Sequence, residues 1–500
     1  MVENAPFLPG LPPVCGKPVH LTFDGGRLTS DAGVLLLAEV ERRLGLAERL
    51  ARCLADPRAP ERVRRTLAEM IRFRVLLITA GHPDANDCDG LRIDPAFKLA
   101  VGRLPESGED PCSQPTSAHS DAPSMKLRPS VEGRGCRLEN LPTATALKLM
   151  MAALSAPLTS LRGIRPKAGW SRLIDCIAQV CDSYEQVPRR IVLDIDDTCD
   201  PVHGGQQPAL LHARHNERCF LPIHVYEAGS GKPVAVILRP GKTPDGVEVA
   251  RVLRHVVAAI RRRWPRVDIL VRGDSHYARH EAMSWCDRNR VGYILGPAGN
   301  KVLLARMAGL AETVALERVG GGAAKARRYA EPGYAARTWA VERRVIARIE
   351  ASERGADSRL IVTNLPGTPR WLHEDVYCAR GHRLQPIPRR DVSAADRAEN
   401  LIKAHKRHLA SDRTSCTNAT ANQFRLVLHT AAYWLLHTLR GLAPRRSFWR
   451  DAQLDTLRLA FIKVAGRVTE LATRIKVAPP SSYTERDSLI LLAARATRPP

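Results

Sequence analysis

The stretch RRIVLDID (189–196) is a short, unbroken apolar run that closes on carboxylates. It reads as a buried strand that carries polar side chains at its C-terminal end. CFLPIHVYEA (219–228) and KPVAVILRPG (232–241) follow, parted by Gly229-Ser230-Gly231, and predict a hairpin. Thr243-Pro244 then supplies an N-cap and a first-turn proline. Val249, Val252, Leu253, Val256 and Ile260 line one helical face that ends at Trp264-Pro265. VDILVRGD (267–274) is a second apolar strand with an aspartate at its end. A helix (280–290) and a last strand, VGYILGP (291–297), complete the segment. The predicted class is α/β.

Outward from this segment the pattern changes. Residues 30–80 are helical in period, with Ser30 and Asp31 as candidate N-caps. Residues 104–136 are rich in Ser, Pro and Gly and predict a linker, with helical pattern again from Thr143 to Leu154. The region 1–160 is therefore expected to be mainly helical. Beyond the core, WAVERRVIARI (339–349) and SRLIVTNL (358–365) predict a β-rich insertion over 299–375. Residues 393–409 predict a helix with Ser393 as its cap. Further helices are expected in 376–480, including NQFRLVLHTAAYWLLHTLR (422–440).

Composition narrows the function. Lys plus Arg is 76 against 52 for Asp plus Glu, a formal net charge of +24. An excess of that size attracts polyanions, of which nucleic acid is the commonest. Twelve cysteines are scattered without a CxxC pair, which predicts a reduced, cytoplasmic chain without a zinc site. No signal peptide or membrane span is expected.

Strand, strand, strand, helix, strand, helix, strand is the order of an RNase H-like core, in which Asp196 and Asp274 would stand side by side. Two divalent ions held by carboxylates are a common device for phosphodiester chemistry. LDIDDT (193–198) also has the Asp-x-Asp-x-Thr spacing of haloacid dehalogenase-like phosphatases, with Asp194 as nucleophile and Asp196 as acid/base. The strands that follow it and the net charge argue against that alternative.

Four blocks in order carry a broader resemblance: LDIDDTCDPVHGGQQ (193–207), WPRVDILVRGDSHYAR (264–279), YCARG (377–381) and the long run from Ala398 to Leu436. Together they resemble the DDE transposases of bacterial insertion sequences, transposase DDE domain group 1. The resemblance implies an RNase H-like catalytic core with a β-rich insertion between its second and third acidic residues. It implies Asp196, Asp274 and Glu399 as catalytic, metal-binding carboxylates for two Mg²⁺ or Mn²⁺ ions. It matches Tyr377, Arg380, Glu399 and Lys406 to the family's Tyr, Arg, Glu and Lys signature. Lys403 lies on the same helical face as Glu399 and Lys406, and Tyr377, Arg380, Lys403 and Lys406 are the expected DNA contacts. The implied partners are terminal inverted repeats and target DNA, with a homodimer on the DNA at the bacterial nucleoid. The chain departs from the family pattern in two apparent insertions, near 117–136 and at 382–396. The second separates Arg380 from Glu399 and leaves open a catalytically inactive, DNA-binding remnant, while a nuclease without strand transfer is a further option.

Overall fold

The computed structural model describes residues 24–54, 60–112, 186–202, 216–299, 301–378, 396–416 and 419–498, with a few short stretches besides. The chain divides into two compact units. One comprises Met1–Glu48, Arg58–Leu147 and Leu435–Pro500; the other comprises Arg49–Pro57 and Lys148–Trp434. The expected linker lies outside the described residues beyond position 112, as does the predicted helix of Thr143–Leu154.

The second unit is built on one mixed sheet. Its first five strands are β1 (Arg190–Asp197), β2 (Ile223–Glu227), β3 (Lys232–Ile237), β4 (Asp268–Gly273) and β5 (Gly292–Leu295). They lie in the spatial order β3-β2-β1-β4-β5. β1, β4 and β5 are mutually parallel, whereas β2 runs antiparallel to both β1 and β3. Helices α1 (Gly246–Arg263) and α2 (His280–Arg288) connect β3 to β4 and β4 to β5. Period-2 alternation assigns the strand faces. Ile191, Leu193, Ile195, Ile223, Val225, Ile269 and Val271 point into the core beneath α1 and α2. Val192, Asp194, Asp196, His224, Tyr226, Leu270 and Arg272 fall on the opposite face.

Local chemistry moves several boundaries. Pro222 splits the expected strand 219–228: Glu217–Phe220 joins a small sheet with Asp200–Pro201 and Leu210–His212, while β2 starts at Ile223. A proline has no N–H to give a ladder, so the pairing changes there. The cap of α1 is Asp245, not Thr243, because the Asp245 carboxylate accepts from Glu248 N–H at 2.8 Å. The segment 299–375 is not wholly β. It opens with α3 (Lys301–Gly320), whose apolar residues are spread around the helix: Leu303 and Val314 are buried, Leu316 and Val319 exposed. No single apolar stripe marks it in the sequence. β6 (Lys325–Ala330), β7 (Arg343–Ser352) and β8 (Gly355–Thr363) then continue the main sheet beyond β5 in the order β5-β8-β7-β6. The outer strand β3 is followed by a backbone clasp. Gln423, on helix α5 (Ala419–Leu442), accepts from Leu238 N–H at 2.6 Å and donates to Val236 C=O at 3.0 Å. Its amide occupies edge groups that would otherwise template another strand.

The other unit is helical, with a three-stranded antiparallel sheet of Leu28–Thr29, Gly466–Glu470 and Ile475–Ala478. Thr66 and Glu69 form a reciprocal capping box on helix Leu67–Ala80, which Gly81 ends in the left-handed conformation. Asp31 is not the N-cap that the sequence predicts. Its side chain is fully buried and sits 2.7 Å from Lys463 Nζ and 3.5 Å from His82 Nε2. The N-cap of helix Val34–Leu44 is Gly33, where a Cβ would lie 1.7 Å from the Phe461 carbonyl oxygen. Among the described residues no helix is long and apolar enough to cross a membrane.

Burial pushes the Asp31 carboxyl up, but hydrogen bonds from His82, Lys463 and Ser30 outweigh it and hold the group below the ordinary carboxylate range. A depressed carboxylate stabilises the fold above its unfolded pKa, and that stability is lost as pH falls through the folded value. Lys463→Met leaves this buried charge without its ammonium partner. It should cost about 3–5 kcal/mol, read as a lower urea midpoint at neutral pH, and the deficit should shrink on acidification. An unchanged midpoint would show that the pair contributes nothing.

Candidate functional site

β1 and β4 are parallel neighbours with Ile195 opposite Gly273. The next residue on each chain is an aspartate, so Asp196 and Asp274 leave adjacent strand ends together. Asp274 Oδ1 accepts from His276 N–H at 3.0 Å, and its carbonyl accepts from Tyr277 N–H at 3.2 Å. The aspartate is therefore a turn former, and that turn fixes its carboxylate at the sheet end. Asp196 Oδ1 accepts from Asp197 N–H at 2.9 Å. Both side chains remain partly open to solvent.

Asp197 points to the other face. It accepts from Tyr277 Oη at 3.0 Å and meets His276 Nδ1 at 2.8 Å. The Asp197 hydrogen bond raises His276 above the ordinary imidazole range against the opposing effect of burial. Burial, and then the Asp197, Asp196 and Asp274 carboxylates, hold the Tyr277 hydroxyl well above the usual phenol range. Three carboxylates thus gather around one buried ring at this end of the sheet.

Two residues before each aspartate the same strands are locked. Arg272 donates to both oxygens of Asp194, at 2.7 and 2.9 Å, and both residues are buried. Its third contact is to the Val376 carbonyl at 2.9 Å, in the π-helical segment Leu372–Tyr377. This geometry overturns the phosphatase alternative. A nucleophilic Asp194 would have to be open to substrate, whereas here it is buried with both oxygens taken by a guanidinium. The antiparallel strands β2 and β3 after β1 disagree with that reading too.

Glu399 lies on α4 (Asp396–Lys403), which continues as a π-helical turn over Ala404–His408. The helix packs on the Asp196 face of the sheet. Tyr226, opposite Asp194 in register, donates to the Leu401 carbonyl at 3.4 Å. The ring of His224, opposite Asp196, lies 5.4 Å from that of His405. Both histidines are buried, and burial pushes His405 down to about 3 and His224 well below the ordinary range, so the contact is between neutral rings. The helix backbone that bears Glu399 is therefore laid over β2, the neighbour of the strand that bears Asp196. The Glu399 side chain is outside the described residues, as are Arg380 and Ser393 and most of the 382–396 segment.

The other expected site residues differ in setting. Tyr377 packs against the cluster of Leu270, Ile294, Ile346, Ile361 and Leu372 on the Asp194 face. Its hydroxyl sits against Gly296, at the end of β5, where a Cβ would come within 2.3 Å of it. Lys403 is exposed. Lys406 Nζ donates to Thr198 Oγ1 at 3.1 Å and Cys199 C=O at 2.5 Å, and lies 3.2 Å from Asp200. Two hydrogen bonds and one ion pair hold the ammonium. Lys406 thus anchors the chain just beyond Asp196. Asp200 is fully buried, and burial raises its carboxyl to about 7 despite Lys406. Sequence reasoning did not single out Arg272, His276, Tyr277 or Asp200. The one usable signal, for Arg272 alone, was the alternation at the C-terminal ends of the two strands, Asp194 and Asp196 in β1 and Arg272 and Asp274 at the end of β4.

Asp196 and Asp274 offer only oxygen donors, the set that suits Mg²⁺ or Mn²⁺. Among the described residues no three His, Cys, Asp or Glu side chains form a metal-binding group. A third ligand would have to come from a side chain such as that of Glu399.

Residues 11–499 match the family model described as transposase DDE domain group 1. No curated protein matches the chain. Among solved structures, the chain is similar to the piggyBac transposase in a cryo-EM synaptic complex with hairpin DNA. The identity is 8% and the TM-score 0.38, over 87% of this chain and 81% of that one.

The Asp194–Arg272 pair invites a double-mutant cycle. Arg272→Met alone strands a buried carboxylate and should cost about 3–5 kcal/mol. Adding Asp194→Leu should recover most of that loss in chemical denaturation. Equal, additive losses would show that the two side chains do not support each other.

Proposed function

The chain belongs to the transposase DDE domain group 1 family, and from that premise we propose that it cuts DNA at the ends of its own element and joins the freed 3′-hydroxyl to target DNA. The observation that carries this reading is the pairing of Asp196 and Asp274 at adjacent parallel strand ends, with the Glu399 helix packed on the same face of the sheet. The strand order β3-β2-β1-β4-β5, with only β2 antiparallel to β1, supports an RNase H-like core. The net charge of +24 supports a polyanionic partner.

Asp196, Asp274 and Glu399 would hold two Mg²⁺ or Mn²⁺ ions. When bound, such ions activate the attacking oxygen and stabilise the leaving one. The protein's own part is placement. Asp274 is fixed by its turn and Asp196 by the β1–β2 ladder, so neither carboxylate has to be ordered when DNA arrives. Lys406 holds the chain beyond Asp196 through Thr198, Cys199 and Asp200. Lys403 and Arg380 are the cations assigned to the DNA backbone, and Tyr377 lines the approach beside Gly296. A homodimer on paired element ends completes the reading.

Asp196→Asn, Asp274→Asn and Glu399→Gln should each abolish Mg²⁺-dependent end cleavage on the flanking inverted repeats. The loss should exceed the roughly 10–100-fold typical when a group that only supports a metal ligand is changed. DNA affinity should stay near that of the parent protein. Wild-type cleavage rates in any of the three would remove that residue from the centre.

The 382–396 segment leaves eighteen residues between Arg380 and Glu399. Its two prolines, Pro386 and Pro388, forbid a continuous helix from Arg380. A displacement of about 1 Å in a catalytic group costs on the order of 100-fold in rate, so removing 382–396 should accelerate strand transfer. Equal, high rates before and after removal would make the segment an innocuous loop and discard the inactive-remnant alternative.

A further inference from the structure

The main sheet has opposite charge at its two ends. Its C-terminal end carries Asp196, Asp197 and Asp274. At its N-terminal end β1 and β4 start together, with Arg190 opposite Asp268, and β5 joins two residues later, with Gly292 opposite Leu270. The chain brings to that end Arg189, Arg261–Arg263 in the last turn of α1 with Arg266 beyond it, and Arg288 at the end of α2 with Arg290 beyond it. Arg261 ties the two helix exits together, donating to the Asn289 carbonyl at 2.8 Å. Most of these arginines are exposed. The nearby carboxylates are engaged: Asp268 lies 3.8 Å from Arg190, and Asp287 pairs with Arg343 at 2.5 Å.

Cations at helix C-termini complement the helix dipole, which accounts for Arg261–Arg263 and Arg288. It does not account for Arg189, Arg266 and Arg290, which lie outside the helices. Composition alone does not account for their gathering at one sheet end either. A planar guanidinium suits phosphate above other anions because its fork matches two phosphate oxygens. β4 has six residues, so the arginine end lies roughly 20 Å from the carboxylate end at about 3.3 Å per residue. A phosphate at Asp196 and Asp274 is out of its reach.

We propose that this arginine end is a second DNA-backbone surface, which grips a stretch of duplex separate from the one being cut. The inference rests on the transposase reading but concerns a different part of the molecule. Contact with phosphates alone would make the grip independent of sequence and sensitive to salt.

The test uses the full-length chain carrying Asp196→Asn, so that DNA stays intact, and linear duplex of arbitrary sequence. Arg266→Gln, Arg288→Gln and Arg290→Gln are introduced together, all at exposed positions. Arg337→Gln, Arg354→Gln and Arg370→Gln form a control of equal charge change at exposed positions elsewhere in the same unit. If each of the three arginines meets one phosphate, the slope of log affinity against log salt should fall by roughly 2–3. Affinity at low salt should drop at least about tenfold, with the control near the parent. An unchanged slope, or the same loss in the control, overturns the proposal. Thermal melts of both triple variants should match the parent; a destabilised test variant is replaced by Arg288→Gln alone, with a slope change of about 1 expected. Cleavage by the unsubstituted protein is scored separately. No cleavage with an intact binding effect would refute the catalytic reading and leave this surface standing.

Discussion

The Arg272–Asp194 pair is the interaction on which the site's geometry depends. One guanidinium joins β1 to β4 and reaches the Val376 carbonyl in the segment above them. Removing charges from water is costly, and a buried pair recovers that cost only with close geometry and few unmatched donors. Here the fork matches both carboxylate oxygens and a remaining N–H meets a carbonyl. Such a pair adds little net stability against a well-packed apolar pair, but it tolerates few alternative registers. A slip of one residue between β1 and β4 would bury a charge with no partner and turn every side chain to the other face. The register it favours is the one that sets Asp196 beside Asp274.

Around that pair the two faces of the sheet have separate work. The α1–α2 face is a continuous apolar core of Ile, Val and Leu with Tyr277, Trp285 and Tyr293. It needs only volume and dryness. The other face mixes apolar contacts with buried polar ones, including Tyr226 to the Leu401 carbonyl and Lys406 to the chain beyond Asp196. Buried polar groups require specific partners, so this face holds α4 and its π-helical extension in one position. π turns inside α-helices occur often at functional sites. Here the wider turn accompanies the reach of Lys406 to Thr198, Cys199 and Asp200, a role that a regular i, i+4, i+7 face would not have suggested.

Much of the core was legible in the sequence because burial on both faces writes a plain signal. The strands RRIVLDID and VDILVRGD are near-continuous apolar runs, and the amphipathic face of α1 repeats at three and four. The expected caps at Asp31 and Thr243 fell elsewhere, because a cap depends on which oxygen meets a free N–H in the folded turn. Asp31 is drawn instead into an ion pair with Lys463, more than four hundred residues away in the chain. α3 was missed because its apolar residues surround the helix rather than line one side. The continuation of the sheet from β5 into β8, β7 and β6 was equally hidden, since hydrogen bonding between strands leaves no trace in the period of either one.

The sequence by itself determined the alternation of strands and helices, the basic charge, and the family, through blocks whose residue types and spacing are kept in order. It also determined that Asp196 and Asp274 close apolar strands, because a run of Ile, Val and Leu can end in a carboxylate only where the strand leaves the core. Tertiary structure alone decided which side chains meet. Parallel pairing placed Asp196 beside Asp274 and gave Asp194 to Arg272, and the packing of the Ala404–His408 turn gave Asp200 to Lys406. It also gathered arginines from three separate chain segments at the far end of the sheet. Partners that lie tens to hundreds of residues apart are chosen by packing and desolvation in the folded core, and neither acts on a residue until the chain around it has folded.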